Sequence, residues 1–319
     1  MKIVVTGATG FLGTHLCHHL HRLGHEILAL GRDRQKGAAL AATGISFEAV
    51  DLGRISEVSR WQAADAMVHA AALSSAWGAR RDFELANVIG TRNALDMACR
   101  LAVKRFVFIS SPSVGFRFRD QLDLVETAPL PLPVNAYAAT KAMAEDLVRA
   151  SGLNTIILRP RGLYGKGDAA LLPRLIRAAV TRPLPLLRKG AAVTDLTHID
   201  DVVAAIVLSI EAPPLFGGRT YNISGGEALT IRKIIEETAQ AAGVTVRFQP
   251  VPVLLALAAA RGGEYAARWR AGQPEPVITA YGVGVLAFSQ TLDLTAARKD
   301  LGYCPQVDFA EGLRRTFAA

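Results

Sequence analysis

The chain has 319 residues, half of them hydrophobic and a fifth charged, an ordinary globular composition that excludes a disordered or low-complexity class. Lys and Arg outnumber Asp and Glu by 36 to 28, giving +8, but the arginines are scattered from Arg22 to Arg315. That pattern argues against a nucleic-acid surface and for a cleft that favours phosphate-bearing cofactors.

The three cysteines, Cys17, Cys99 and Cys304, are far apart and form no CxxC pair, so neither a disulfide framework nor a zinc site is indicated. The opening apolar run is too short for a signal peptide. The longest, Val251–Ala260, is about half of what a membrane crossing needs. We therefore expect a cytoplasmic protein with no integral membrane segment.

Up to Pro160, short apolar strands alternate with helical stretches. Strands are predicted at Lys2–Thr6, Glu26–Leu30, Ala66–Ala71, Arg105–Ser110 and Thr155–Arg159. Helices are predicted at Phe11–Leu23, Phe83–Leu101 and Ala138–Ser151. Strands that are continuously apolar are buried on both faces, and their alternation with helices predicts an α/β fold with a doubly wound parallel sheet. After Pro160 the rhythm changes to helices at Leu171–Val180, Ile199–Glu211 and Thr230–Ala242, with breaks at Pro183–Pro185 and a turn at Gly225-Gly226. The C-terminal part reads as a smaller, mostly helical substrate lobe packed on the sheet.

Gly7-Ala8-Thr9-Gly10-Phe11-Leu12-Gly13 follows a strand and opens a helix. Glycines there permit a tight turn, a close backbone approach to a pyrophosphate and helix–strand contact, while the helix N-terminus offers free N–H groups to phosphate. This predicts a dinucleotide site. The second strand ends in Gly31-Arg32-Asp33, where an NAD-specific site usually places a carboxylate on the ribose hydroxyls. Arg32 can instead pair with a 2′-phosphate, which favours NADP(H) over NAD(H). The competing reading leaves Arg32 in solvent and the ribose to Asp33. Asp51-Leu52, after a third strand-like run, places a carboxylate within reach of the adenine.

Tyr137 and Lys141 stand one helical turn apart at a predicted helix start, where an ammonium would favour the phenolate and make Tyr137 a proton donor and acceptor. Ser110 and Ser111 follow a buried strand, at the sheet edge where ligands bind; Ser111 can hydrogen-bond a carbonyl beside Tyr137. His15, His18 and His19 share a helix face, but no carboxylate or cysteine completes a metal set, and none is expected. His69 is expected to support its strand rather than act as a base.

In this order, the glycine turn, Ser111, Tyr137 and Lys141 resemble the extended short-chain dehydrogenases/reductases, whose catalytic triad is this Ser, Tyr and Lys. The resemblance continues in Val68–Ala72, similar to the family's fourth-strand motif, which implies that Ala70, Ala71 and Ala72 line the cofactor. It extends to the segment beginning at Asn87, and to Leu158–Gly165, which implies that Pro160, Gly162 and Leu163 meet the nicotinamide. Thr194–Val202 resembles the segment that returns to the core. The implied division is 1–160 with 194–225 for the dinucleotide, and 161–193 with 226–319 for the substrate.

Nucleotide-sugar members carry an arginine where this chain has Thr194, and dehydratases place acidic residues where Ser111-Pro112-Ser113 has none. The tail from Ser289 to Tyr303 is similar to the 3-β-hydroxysteroid dehydrogenase-like branch. This implies hydroxyl/ketone interconversion on a hydrophobic substrate, steroid-like or a long-chain 3-keto acid. Val251–Ala258 and Tyr281–Phe288 are candidates for its cleft or for packing core, and Arg80, Arg81 and Arg161 are candidates for a carboxylate. The alternatives are a nucleotide-sugar epimerase or dehydratase, and a non-catalytic dinucleotide sensor, which would typically lack the tyrosine or lysine. The resemblance also implies a homodimer through a four-helix interface using Phe83–Leu101 and Ala138–Ser151.

Overall fold

The computed structural model describes residues 1–54, 61–214 and 217–318. Among these, seven parallel strands form one sheet. From edge to edge they are Arg219–Ile223, Thr155–Pro160, Arg105–Ile109, Ala66–His69, Lys2–Thr6, Glu26–Gly31 and Ser46–Ala49. The order reverses direction between Lys2–Thr6 and Ala66–His69, and a crevice opens at the carboxyl ends beside that switch point.

Alternation along each strand feeds two separate cores. On one face Ile3, Val5, Val107 and Ile156 pack with Leu16 and Leu20 of helix Phe11–Arg22 and with Val202 and Ile206 of helix Ile199–Glu211. On the other face Val4, Met67, Phe106 and Ile157 pack with Ala94 and Ala98 of helix Gly90–Arg100 and with Ala144 and Val148 of helix Ala136–Ala150. Both faces being covered explains why these strands are continuously apolar.

The predicted strand Ala66–Ala71 stops at His69, where the chain bends into the crevice. The helix expected at Phe83–Leu101 begins earlier, as a turn at Arg80–Phe83, then widens into a π-helical turn over Glu84–Ile89 before continuing as Gly90–Arg100. Arg80 pairs with Glu84 at 2.7 Å across the added turn, a pair exposed to solvent.

A second sheet of four short strands was not predicted. In order it holds Leu229–Thr230, Val193–Thr194, Gln290–Leu292 and Gln121–Leu124, joining distant parts of the chain. Strands of two to four residues are too short to show a period. Beside it lie two smaller apolar clusters, one around Tyr164, Leu184, Ile234 and Phe309, the other around Leu187, Ala260 and Val283. No helix among the described residues is long and apolar enough to cross a membrane.

Candidate active site

The crevice is a cavity of 770 Å³ whose wall brings together Gly7, Thr9–Gly13, Arg32, Asp51, Leu52, Ala70–Ala72, Ser110, Ser111, Tyr137, Lys141, Pro160, Gly162 and Leu163. These residues come from the carboxyl ends of six strands of the large sheet and from helices Phe11–Arg22 and Ala136–Ala150.

The glycine turn leaves no room for side chains at two of its positions. Gly7 has φ +69°, and a Cβ there would lie 2.7 Å from Ala71 N; a Cβ on Gly13 would collide with the Gly7 carbonyl. Helix Phe11–Arg22 starts at Gly10 with no side-chain cap and no acidic residue in its first turn, so its leading N–H groups remain for an anion. Arg32 is exposed at the rim of the cavity. The Asp33 carboxylate is committed elsewhere: it caps helix Arg34–Ala41 by accepting the Lys36 N–H at 3.0 Å. Asp51 lines the cavity and accepts the Gly53 N–H at 3.0 Å.

Asn87 is the exception among the expected cofactor residues, since it does not line the cavity. It is buried. Its Oδ1 accepts the Leu73 N–H at 2.7 Å, and its Nδ2 donates to Leu73 O at 3.2 Å and to Thr140 Oγ1 at 3.0 Å. The π-helical turn aims this amide between the Ala70–Ala72 loop and the helix that carries Tyr137, so it positions both.

His69 is fully buried. Because the Thr91 hydroxyl donates to Asn87 O at 2.6 Å, it accepts from His69 Nε2–H at 3.0 Å; His69 Nδ1 then accepts from the Thr6 hydroxyl at 2.7 Å. Burial and the nearby Lys141 charge push this imidazole down to about 3. It is a neutral strut between strand Lys2–Thr6 and helix Gly90–Arg100 and not a base.

Asn135 caps helix Ala136–Ala150 by accepting the Ala138 N–H at 2.8 Å, which sets Tyr137 in the first turn. Ser111 caps the short 3₁₀ turn Pro112–Gly115, and its hydroxyl lies beside the Tyr137 phenol. Ser110 donates to the buried Glu145 carboxylate at 2.6 Å. Glu145 is held in turn by Arg159 at 2.8 and 2.7 Å and by Arg149 at 2.6 Å.

Lys141 corrects one electrostatic expectation. Its ammonium donates to Ile109 O at 2.5 Å and sits 4.1 Å from the centre of the Phe108 ring. Burial pulls it down to about 7, opposed by the Glu145 charge. The phenol is not made more acidic. Burial lifts Tyr137 to about 12, and the group that works against this is the Ser111 hydroxyl, not Lys141. Desolvation outweighs the attraction expected from helical spacing alone.

The cavity also includes residues that the sequence did not single out, Ser74, Ala86 and the Asp168–Leu171 loop, whose Asp168 carboxylate accepts N–H groups of Ala170 and Leu172 at 2.7 and 2.9 Å. Of the two apolar stretches, Tyr281 lines the cavity and sits edge-on to Phe116 at 5.2 Å. Val283 and Ala287 are core, as are Val253, Ala256 and Leu257 in part, while Leu254 and Leu255 face outward. Arg80 and Arg81 are exposed, and Arg161 is buried. No cluster of three metal-ligating side chains occurs among the described residues.

A glycine-rich phosphate turn and a Ser–Tyr–Lys group sharing one crevice of a doubly wound sheet define a dinucleotide-dependent oxidoreductase site. The model of the NAD dependent epimerase/dehydratase family matches residues 3–224. The chain is 34% identical over 330 residues to a 2-alkyl-3-oxoalkanoate reductase of Stenotrophomonas maltophilia, covering 100% of this chain and 99% of the relative. It is 28% identical over 342 residues to the decarboxylating sterol-4-alpha-carboxylate 3-dehydrogenase of Saccharomyces cerevisiae, covering 99% and 97%. Its structure is similar to that of DesIV, a dTDP-glucose 4,6-dehydratase of Streptomyces venezuelae crystallised with NAD, at TM-score 0.76 and 27% identity over 99% and 96% of the two chains. The chain belongs to the NAD-dependent epimerase/dehydratase family and is an oxidoreductase within it.

Proposed function

We propose that the protein reduces a ketone on a hydrophobic substrate, steroid-like or a long-chain 3-keto acid, using NADP(H). The observation that carries this reading is the convergence of Ser111 and Tyr137 with the glycine turn in one cavity. When bound, the nicotinamide supplies the hydride. Gly7–Gly13 would hold the pyrophosphate and Lys141 the nicotinamide ribose. Ser111 Oγ hydrogen-bonds the substrate oxygen. Tyr137 Oη gives its proton to that oxygen as the ketone becomes an alcohol. A phenol lifted to about 12 stays protonated at neutral pH, which suits the donor role that reduction demands. Removal of Asp33 to a helix cap leaves Arg32 as the charged side chain at the strand tip and supports NADP(H) over NAD(H). The reading includes a cytoplasmic homodimer, formed through helices Gly90–Arg100 and Ala136–Ala150, which pack together on one sheet face.

A spectrophotometric screen of NADPH and NADH oxidation against steroid ketones, 3-keto acids and aliphatic ketones tests the activity. Tyr137→Phe should lower turnover about 100- to 10,000-fold while NADPH binding persists. Undiminished turnover in that variant, or epimer formation without net NADPH consumption, would overturn it.

A further inference from the structure

Buried arginines in this protein differ in how their charge is met. Arg159 is neutralised by two bonds to the Glu145 carboxylate. Arg161, only 6% exposed, forms no direct ion pair among the described residues. Its Nε and Nη2 both donate to Thr194 Oγ1, at 3.1 and 2.9 Å, and its charge acts on the nearby Tyr281 hydroxyl. Asp195 acts on it at longer range, with its own oxygens taken by the Leu292 N–H at 2.9 Å and the Ser224 hydroxyl. A buried guanidinium whose charge no carboxylate directly cancels projects positive potential onto the groups in front of it, where an anion is favoured.

Tyr281 stands in front of that charge. It lines the same cavity as Ser111, Tyr137 and Gly162 and is close enough to Tyr137 to influence it electrostatically. The cap of its helix fixes the position: Thr279 accepts the Gly282 N–H at 3.0 Å, and Glu264 accepts the Ala280 N–H at 2.7 Å.

We propose that Tyr281, backed by Arg161 and Thr194, is a carboxylate subsite beside the reacting carbonyl, so that the substrate is a 3-oxo acid and not a simple ketone. This rests on the oxidoreductase reading above. Tyr281 touches the substrate, and Arg161 is a positioning residue that supplies positive potential behind it. A carboxylate two bonds from the ketone carbon would meet the Tyr281 hydroxyl while the ketone oxygen meets Ser111 and Tyr137.

The test compares a long-chain 3-oxo acid with its methyl ester in the NADPH-loaded protein. In Tyr281→Phe and Arg161→Gln, kcat/KM for the acid should fall about 10- to 100-fold, chiefly through KM, with the ester nearly unaffected. Arg161→Lys, which keeps the charge, should recover part of the loss. Fluorescence titration with NADPH checks that each variant folds. Equal losses on acid and ester would show a merely structural role and overturn the proposal, as would a wild-type preference for the ester. If the wild type reduces neither compound, the ketone-reduction reading fails, and the subsite is judged by calorimetry of dodecanoate against dodecanol. Tighter binding of dodecanoate that Tyr281→Phe abolishes would support it, and equal affinities would overturn it.

Discussion

The Lys141 ammonium hydrogen-bonds the main-chain oxygen of Ile109 at 2.5 Å, at the end of the strand that leads into Ser110 and Ser111. The strand end and helix Ala136–Ala150 are thus tied by a buried cation whose charge is unfavourable there. With its pKa at about 7 when folded against 10.5 otherwise, Lys141 destabilises the fold fully below pH 7. The penalty is relieved as pH rises from 7 to 10.5, because the unfolded chain then binds the extra proton. Lys141→Met should therefore raise urea stability most at or below pH 7, and the gain should shrink towards pH 10.5. A gain that is the same at every pH would contradict this.

Arg32 sets the second prediction. Replacing it with Asp puts a carboxylate at the strand tip, where it would repel a 2′-phosphate and accept from ribose hydroxyls. The ratio of kcat/KM for NADPH over NADH should drop about 10- to 100-fold. Steady-state kinetics with both cofactors measure it, and an unmoved ratio would place Arg32 outside the adenosine site.

His69 governs behaviour in acid. Its folded pKa lies near 3 and its ordinary value is 6.5, so between those limits the unfolded chain takes up a proton that the folded one refuses. Stability should fall by about 1.4 kcal/mol per pH unit from this group across that window. Chemical denaturation of wild type and His69→Gln should show a shallower acid slope in the variant, over and above its lower stability at pH 7.

Asn87 joins Leu73 to Thr140 through one amide. Asn87→Ala leaves the Leu73 N–H and C=O without that partner, at about 1–3 kcal/mol of stability. It should also weaken NADPH binding by loosening the Ala70–Ala72 loop. Calorimetry on the folded variant separates the two effects, and unchanged NADPH affinity would confine Asn87 to the fold.

The sheet and most of the crevice were legible because their signals are local. Gly7, Gly10 and Gly13 lie on one turn, Tyr137 and Lys141 on one helix, and the strands are continuous apolar runs. What escaped depends on residues far apart in sequence. Tyr281 sits in an apolar stretch that reads more readily as core, and it reaches the site because helix Ala280–Ala287 packs against Phe116. The ionisation of Tyr137 and Lys141 was misjudged for the same reason, since spacing reveals a neighbour but not how completely water is excluded. Asn87 reads from the sequence as a cofactor residue, but its amide is bonded to Leu73 and Thr140, because the π-helical turn that aims it has no signature in composition.

The small sheet that unites Gln121–Leu124 with Gln290–Leu292 also constrains the order of assembly during synthesis. A nascent chain can begin to pair its first five core strands long before the ribosome has made Tyr281. The wall facing the substrate must wait for Leu292 to leave the exit tunnel. Until then Gln121–Leu124 is an unpaired edge, a point at which a stalled chain is open to aggregation or capture by a chaperone.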